Sequence, residues 1–272
     1  MNAIKHKLSI ITPTFNRSMK YERVIASLIP QQARNIELVT IEGVAGLAKA
    51  RNQGWRKSKG EYVAYIDDDA IASPDWVRNI IRFIKKHPDV VAFGGPYISS
   101  NQSELPAWIP KELTTMEVAA KKPRPIHIPF EWLTGTNMIF RRDILQKLGG
   151  FDESLGVTPN RRAYGEETDL LIRIHNAGHK IWYDPKIKVL HEFSKQKQSL
   201  YFLLKDQFIH GLNSHHTFKH LKKSNPGKTA NTMLSRMTRE GIPIKTRLYF
   251  LLAPLCYLIG MTLGKLDRTS LE

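Results

Sequence analysis

The sequence predicts an α/β fold built on one mostly parallel sheet, with helices on both faces and a helical C-terminal region. Three observations support this prediction. Apolar runs rich in β-branched residues alternate with amphipathic segments up to residue 194. Hydrophobic residues make up 42% of the 272 residues, enough for one sizeable core. Beyond residue 194 the alternation ends, and a basic, helix-forming sequence follows.

Each element follows from a local pattern. Short apolar runs predict strands at residues 8–15, 36–41, 62–66, 90–93, 181–183 and 187–190. Apolar periodicity, caps and glycine stops predict helices near residues 18–28, 47–57, 76–84, 142–148 and 166–177. In such sheets ligands bind beyond the C-terminal strand ends, and the proline-rich stretch 96–129 is expected to form loops over that site.

The charge is uneven along the chain. The formal net charge is +16, and residues 195–272 hold 13 Lys and Arg against 4 Asp and Glu. This balance suits nucleic acid, an anionic membrane face or phosphorylated substrates, without choosing among them. A single cysteine, Cys256, forms no internal disulfide, and the apolar stretch before Pro13 is too short for a signal peptide core. We therefore expect a cytoplasmic protein.

Residues 248–264 form an uncharged, mostly apolar segment of 17 residues. This length is the lower limit for spanning a bilayer, and Pro254 and Gly260 weaken the case further. Basic residues flank both ends, so the positive-inside rule gives no orientation. The segment predicts membrane association, either within the cytoplasmic leaflet or across the bilayer, and a buried core or dimer helix is the alternative.

Three adjacent carboxylates, Asp67, Asp68 and Asp69, follow the apolar strand YVAYI. Their mutual repulsion is relieved by a divalent cation that also binds substrate phosphate. Alternation along an extended chain points Asp67 and Asp69 the same way. The pattern predicts a metal site, with an acidic turn before the next helix as the alternative.

Two further groups carry candidate chemistry. Glu166 and Glu167 open a predicted helix, where acidic residues are common but where the helix dipole also keeps a base ionised. His191 ends a predicted strand, a usual place for a polar terminus and equally a possible metal ligand beside the aspartates. Trp132, Gly135 and Asn137 combine an aromatic platform, a backbone hinge and an amide, which suit a sugar.

Six segments in this order resemble a family 2 inverting glycosyltransferase of the GT-A fold. They are SIITPTFNR at 9–17, GLAKARNQG at 46–54, YVAYIDDDA at 62–70, GTNMIFRRDILQKLGGFDE at 135–153, GEETDLLIRI at 165–174 and VLHEFS at 189–194. The resemblance implies a catalytic domain at 1–194, with a nucleotide-sugar half at 1–95 and an acceptor half at 96–194. The basic helical region then covers 195–272, including the apolar segment 248–264.

The resemblance also implies roles for individual residues. The residues expected at the nucleotide sugar are Pro13, Thr14, Phe15, Arg17, Glu42, Arg51, Asn52 and Asp68. Those expected at Mn²⁺ or Mg²⁺ are Asp67, Asp69 and His191. Glu167 aligns with the general base and Glu166 with its acidic neighbour. The residues expected at the sugar or acceptor are Trp132, Gly135, Asn137 and Asp169.

The implied reaction is a single in-line displacement. A sugar passes with inversion from a nucleotide diphosphate sugar, UDP-linked by preference, to a hydroxyl of a glycan or lipid-linked acceptor. The implied setting is envelope polysaccharide synthesis, with the enzyme docked on the inner, anionic membrane face through its C-terminal region. The sequence departs from the family pattern at Glu42, where no Gly-Ser follows, and at Glu167, where aspartate is more common.

Two rival functions use the same features differently. One is a non-enzymatic basic module that binds nucleic acid or anionic lipid. No zinc spacing, helix-turn-helix signature or aromatic RNA-binding motif is present, so nucleic acid is not an expected partner. The other is a nucleotidyltransferase on a related sheet, which would share the aspartates and release pyrophosphate. The sugar, the linkage and the oligomeric state stay open.

Overall fold

The structure, a computed structural model, describes residues 7–221 and 241–269, with side chains up to residue 266. The strands are β1 (Leu8–Thr14), β2 (Ile36–Glu42), β3 (Tyr62–Tyr65), β4 (Ala70–Ala72), β5 (Ala92–Gly94), β6 (Tyr97–Ser99), β7 (Arg124–Pro125), β8 (Met138–Arg141), β9 (Ile181–Tyr183) and β10 (Val189–His191). The helices are α1 (Met19–Leu28), α2 (Leu47–Lys57), α3 (Trp76–Lys86), α4 (Arg142–Leu148), α5 (Glu166–Asn176), α6 (Leu200–Thr217) and α7 (Ile244–Thr269).

The main sheet has seven strands in the order β2-β1-β3-β8-β5-β9-β7. Its first three strands are parallel, and Leu8 of β1 is in register with Ile36 of β2 and Tyr62 of β3. Their C-terminal ends therefore meet at one edge of the sheet. This is the edge where ligands bind in open α/β sheets.

The main sheet is mostly parallel, as the sequence predicts, with five strands in one direction and two in the other. Strand β8 lies between β3 and β5 and is antiparallel to both, and β7 is antiparallel to β9. A second sheet of three strands, β4-β10-β6, stands apart from the main one, so the prediction of a single sheet is corrected. An apolar run marks a strand but does not state its direction, which depends on long-range packing.

Helices cover both faces of the main sheet, as predicted. Alternate residues of β1 and β3 enter two separate core clusters, because successive side chains of a strand point to opposite faces. Ile11 and Val63 pack with residues of α2, α4 and α5 on one face. Ile10 and Ala64 pack with residues of α1 and α3 on the other.

Helices α6 and α7 pack closely along each other. A Cβ atom on Gly260 would lie 2.1 Å from the Phe208 carbonyl oxygen, and one on Gly264 would lie 2.3 Å from that of Leu212. Both contacts advance by four residues, so the two helices run in the same direction. Phe250 and Leu203 belong to a third core cluster that joins this pair to the rest of the protein.

One face of α7 is apolar and exposed. The exposed residues on it are Leu248, Leu251, Leu255, Ile259, Leu263 and Leu266. Within the described part of the chain, Ile244–Leu266 is the one helix long and apolar enough to cross a membrane by length and composition, with a mean hydropathy of 1.5. Because 28% of its apolar window is buried, one side packs on the protein and the other is exposed.

Candidate active site

The ends of β1 and β3 bring the first loop of the chain to the aspartate triplet. The Thr14 hydroxyl donates hydrogen bonds to Asp68 Oδ2 and to the Asn16 carbonyl, both at 2.6 Å. Burial raises the pKa of Asp68, and the bond from Thr14 acts in the opposite direction. Thr14 and Asp68 thus fix the two loops to each other at the ligand-binding edge.

A buried guanidinium joins the aspartates to the start of α5. Arg51 Nη2 donates to Asp67 Oδ1 at 3.0 Å, and Arg51 Nη1 donates to Glu166 Oε1 at 2.6 Å. The Arg51 side chain is 1% exposed, and its paired carboxylates raise its pKa against the opposing effect of burial. Carboxylates 99 positions apart in the sequence therefore meet on one side chain.

Glu166 and Glu167 form a carboxyl pair at the first turn of α5. Gly165 before them has a φ of +107°, a backbone conformation that glycine adopts at little cost. Glu166 is buried, whereas Glu167 is partly exposed. Burial and the adjacent Glu167 raise the pKa of Glu166 to about 8, with Arg51 acting in the opposite direction.

Asp69 and His191 lie together at the junction with the small sheet. The distance from His191 Nε2 to Asp69 Oδ1 is 3.1 Å, and both side chains are partly exposed. Burial alone would raise the pKa of Asp69, but the His191 hydrogen bond and the charges of His191, Lys197 and Lys20 hold it below its usual value. A small, open cavity borders Asp69.

That cavity is also lined by basic residues that the sequence analysis did not single out. Lys20 and Arg23 on α1 point to it and reach Glu192 at 3.5 and 3.8 Å. Two positive charges three positions apart on a helix share one face, so their spacing in the sequence could have indicated a basic surface here. The cavity therefore combines cationic side chains with the Asp69 carboxylate.

Asp69 and His191 could hold a divalent cation as a two-ligand site. Among the described residues, no group of three His, Cys, Asp or Glu side chains is arranged to hold a metal ion. Mg²⁺ commonly takes one or two protein ligands and completes its shell with water and substrate phosphate. The pair fits such an ion, whereas Asp67 is turned toward Arg51.

The other predicted nucleotide residues lie around the end of β1. Pro13 and Thr14 are buried in the strand, and Phe15 beyond them is 60% exposed. Arg17 Nε donates to Glu42 Oε2 at 3.0 Å, and both side chains are about half exposed. These five residues surround an open edge, and their contact with a nucleotide stays a prediction.

Four residues predicted to contact ligand are buried and bound to protein groups, and their contacts with ligand stay predictions. Asn137 is fully buried, accepts a hydrogen bond from Trp76 Nε1 and donates to two backbone carbonyls. Asp169 is fully buried and bound to Arg173 at 2.8 Å. Asn52 is 1% exposed and holds the backbone of residue 151. Arg51 binds two carboxylates through Nη1 and Nη2, and its Nε has no hydrogen-bond partner. Polar groups taken from water need protein partners, and each of these four residues has at least one, although Asp169 Oδ1 accepts no hydrogen bond.

Trp132 and Gly135 keep a place near the site. The Trp132 ring lies 6.2 Å from the Phe218 ring, centroid to centroid, and the side chain is partly exposed. Gly135 lies against the guanidinium, since a Cβ there would be 2.4 Å from Arg51 Nη2. The glycine therefore makes room for the buried ion pair, and a sugar contact of Trp132 stays a prediction.

The chain is similar in sequence to known glycosyltransferases. Residues 41–149 match the model of Glycosyl transferase family 2. A Haloferax volcanii protein named glucosyl-dolichyl phosphate glucuronosyltransferase is 27% identical over 168 residues, covering 61% of this chain and 54% of that protein. The succinoglycan biosynthesis protein ExoM of Rhizobium meliloti is 29% identical over 172 residues, covering 61% and 51%. The chain thus spans about half the length of these relatives.

Solved structures show the same fold. The S. aureus TarS fragment 1–349 superposes with a TM-score of 0.53 at 13% identity, covering 98% of this chain and 92% of that one. A mannosyltransferase from Pyrobaculum calidifontis, in complex with GDP-Man and Mn²⁺, gives 0.52 at 13% identity, covering 98% and 75%. The fold is of the GT-A type, and residues 41–149 of this chain are similar to glycosyltransferase family 2.

Proposed function

We propose that the protein is an inverting glycosyltransferase that moves a sugar from a nucleotide diphosphate sugar to a hydroxyl of a glycan or lipid-linked acceptor. One observation carries the proposal: Arg51 holds Asp67 of the aspartate triplet and Glu166 of the α5 carboxyl pair on a single guanidinium. This contact supports a common site for the donor edge of the sheet and the candidate base. Because the chain spans about half of its matched relatives, the activity of the whole protein belongs to the proposal.

Glu167 is the proposed base. Its carboxylate is partly exposed at the first turn of α5, where the helix dipole favours negative charge. It takes the proton of the acceptor hydroxyl while that oxygen attacks the anomeric carbon and the bond to the diphosphate breaks. Glu166 acts as the buried partner that keeps Arg51 in place. General base assistance of this kind contributes about 10²- to 10⁴-fold in rate.

Asp69 and His191 are the proposed protein ligands of a divalent cation. A cation bound there would neutralise the negative charge of the departing diphosphate. Lys20 and Arg23, which line the same cavity, add positive charge on the leaving-group side. The GDP-Man and Mn²⁺ complex of the Pyrobaculum calidifontis neighbour supports this choice of cofactor and donor class.

The nucleotide is proposed to lie at the edge formed by Thr14, Phe15 and Arg17. A ring 60% exposed at the end of a parallel strand offers a face for a base, and the Arg17–Glu42 pair adds polar groups beside it. UDP is the proposed nucleotide, and the complex of the structural neighbour TarS with UDP supports this choice. GDP is the competing choice.

A screen of nucleotide sugars tests the donor directly. Thermal stabilisation by each candidate is measured with Mn²⁺ present, and the true donor raises the midpoint of unfolding most. The rate at which free nucleotide diphosphate is released is then measured for Asp69→Ala. The matched control is Asp89→Ala, because Asp89 is exposed and remote from the triplet in sequence. We expect Asp69→Ala to abolish release and Asp89→Ala to preserve it. Equal rates in the two variants would refute the role of Asp69.

The enzyme is proposed to act at the inner face of a membrane, with α7 lying in the interface. Leu251, Leu255 and Ile259 give α7 an apolar exposed side, and Lys245 and Lys265 stand at its two ends. An apolar stripe with flanking cations suits an anionic lipid surface. A helix that packs along α6 is held at the protein surface, which favours lying in the leaflet over crossing it.

Vesicle flotation tests this location. The protein should float with vesicles that contain anionic lipid, and Leu255→Asp should weaken flotation because it places a charge in the middle of the stripe. Met19→Asp is the matched control, since Met19 is 86% exposed on α1. Loss of binding in both variants, or in neither, would contradict a membrane role for α7.

A further inference from the structure

We infer that helix α6 positions the catalytic carboxylates through a side-chain cluster, here named the Tyr164 latch, that consists of Arg162, Tyr164, Asp206 and His210. The inference rests on the proposed function, because it assigns a task to residues outside the reacting groups. Arg162 and Tyr164 belong to the segment that leads into α5, and Asp206 and His210 belong to α6. The four are positioning residues, since none of them reaches the cleft carboxylates directly.

Tyr164 is the centre of the latch. Its hydroxyl donates to Asp206 Oδ1 at 2.5 Å, and its ring stacks on the His210 ring with the centroids 4.2 Å apart and the planes 13° apart. His210 Nε2 also lies 3.6 Å from Asp206 Oδ2. One tyrosine is thus held by a hydrogen bond at its tip and by a ring along its face.

Arg162 completes the charge balance of the latch. Its Nε donates to the Tyr164 hydroxyl and lies 3.6 Å from Asp206 Oδ1, while its guanidinium carbon is 4.5 Å from the centre of the Phe202 ring. Burial alone would raise the pKa of Asp206, but hydrogen bonds from His210 and Tyr164 and the charge of Arg162 hold it below its usual value. The ionised aspartate makes the Tyr164 hydrogen bond a charge-assisted one, which is stronger than a neutral bond.

The backbone after Tyr164 is pressed against the same helix. The Thr217 hydroxyl on α6 donates to the Tyr164 carbonyl at 3.3 Å. A Cβ on Gly165 would lie 2.1 Å from Thr217 Oγ1, so residue 165 has no room for a side chain. Tyr164 is therefore the last side chain that can hold this segment before Glu166 and Glu167.

This placement links α6 to the geometry of the reaction. Gly165 has the conformational freedom of glycine, and without the latch the start of α5 would lose a side-chain tie to α6 and depend on Arg51, Thr217 and the core packing of the helix. A misplacement of about 1 Å at a reacting group can lower a rate by roughly 100-fold. The predicted defect is therefore in turnover and not in donor binding, because the donor edge is built from β1 and the aspartate triplet.

The test compares Tyr164→Phe with Tyr201→Phe in the full chain. Both remove one hydroxyl, and Tyr201 is 73% exposed on α6 outside the latch. We expect Tyr164→Phe to lower kcat by about 10- to 100-fold with an unchanged KM for the donor. Tyr201→Phe should match the wild type. The double variant Tyr164→Phe/Asp206→Ala should lose no more than Asp206→Ala, because both changes break the same bond.

Amide hydrogen exchange gives a second readout that does not depend on turnover. In Tyr164→Phe, exchange should become faster at residues 165–169 while the β1–β3 edge is unchanged. Unchanged exchange there, or a kcat equal to that of the wild type, overturns the inference while leaving the proposed function intact. A wild-type protein that transfers no sugar from any nucleotide sugar overturns the proposed function and, with it, the catalytic task of the latch.

Discussion

Replacing Arg51 by methionine should destabilise the protein far more than an ordinary surface change. The side chain is 1% exposed and bridges Asp67 and Glu166, of which Glu166 is itself 5% exposed. Methionine fills similar volume but leaves both carboxylates without their cation. Breaking a buried ion pair by removing one partner costs about 3–5 kcal/mol. Glu166, whose pKa is raised to about 8, is largely protonated at neutral pH and takes a small part in this loss. We therefore expect the free energy of unfolding to fall by about 3 kcal/mol, the lower end of that range.

The assay is urea unfolding at neutral pH, with the free energy of unfolding taken from the midpoint and slope. Arg56→Met is the matched control, because Arg56 lies on the same helix, is 53% exposed and reaches Glu153 at 3.7 Å. A surface pair of that kind contributes about 0–1 kcal/mol. Equal losses in the two variants would refute the reasoning that Arg51 organises the carboxylates.

Three more predictions follow from the same geometry. Gly135→Ala should cost about 1–3 kcal/mol in urea unfolding, since its Cβ would lie 2.4 Å from Arg51 Nη2; a neutral effect would contradict the tight fit. Trp76→Phe should lower the free energy of unfolding by at least about 1–3 kcal/mol, because it leaves Asn137 Oδ1 unpaired. The loss in Trp76→Phe/Asn137→Leu should differ from the sum of the two single losses, and additive losses would contradict the prediction. Because the pKa of Glu166 is raised from 4.5 to about 8, its contribution to stability is complete below pH 4.5 and is lost as the pH rises to about 8. Wild-type stability should therefore fall over that range relative to Glu166→Gln, and parallel curves would count against a raised pKa.

The fold was predictable wherever local chemistry decides structure. Helix α3 was expected from its apolar spacing after Ser73 and Pro74, and it forms at Trp76–Lys86. Strand β9 forms at Ile181–Tyr183, the residues predicted. The antiparallel direction of β8 was not predictable from the sequence. Strand direction depends on the path that the chain takes through residues 96–137, and the alternation of side chains along a strand is the same in either direction.

The sequence predicted which segments form the candidate site, but it did not predict which side chains contact each other there. The aspartate triplet and the α5 carboxyl pair were identified from charge placed after a strand and at a helix start. Arg51 and Asn137 lie in segments that resemble ligand-binding segments of the family. The sequence alone could not show that these two side chains are buried. Asn137 binds carbonyls 41 and 50 positions away, and such bonds exist only once the fold is formed.

The latch was also hidden from sequence. Tyr164 and Asp206 are 42 positions apart, on opposite sides of the point where the alternation of strands and helices ends. A division of the chain at residue 194 would assign them to separate regions. In the structure the basic C-terminal part is packed against the start of α5, which is why a change on α6 should be felt in catalysis.

The turnover number of Glu167→Gln at saturating donor and acceptor, measured beside its affinity for the nucleotide diphosphate sugar, tests the placement of the base most directly. A glutamine keeps the shape of the side chain but accepts no proton. We predict a kcat lowered by about 10²- to 10⁴-fold with the donor Kd changed by less than about twofold. A kcat close to that of the wild type, in a variant that binds the donor normally, would contradict the assignment of proton abstraction to Glu167.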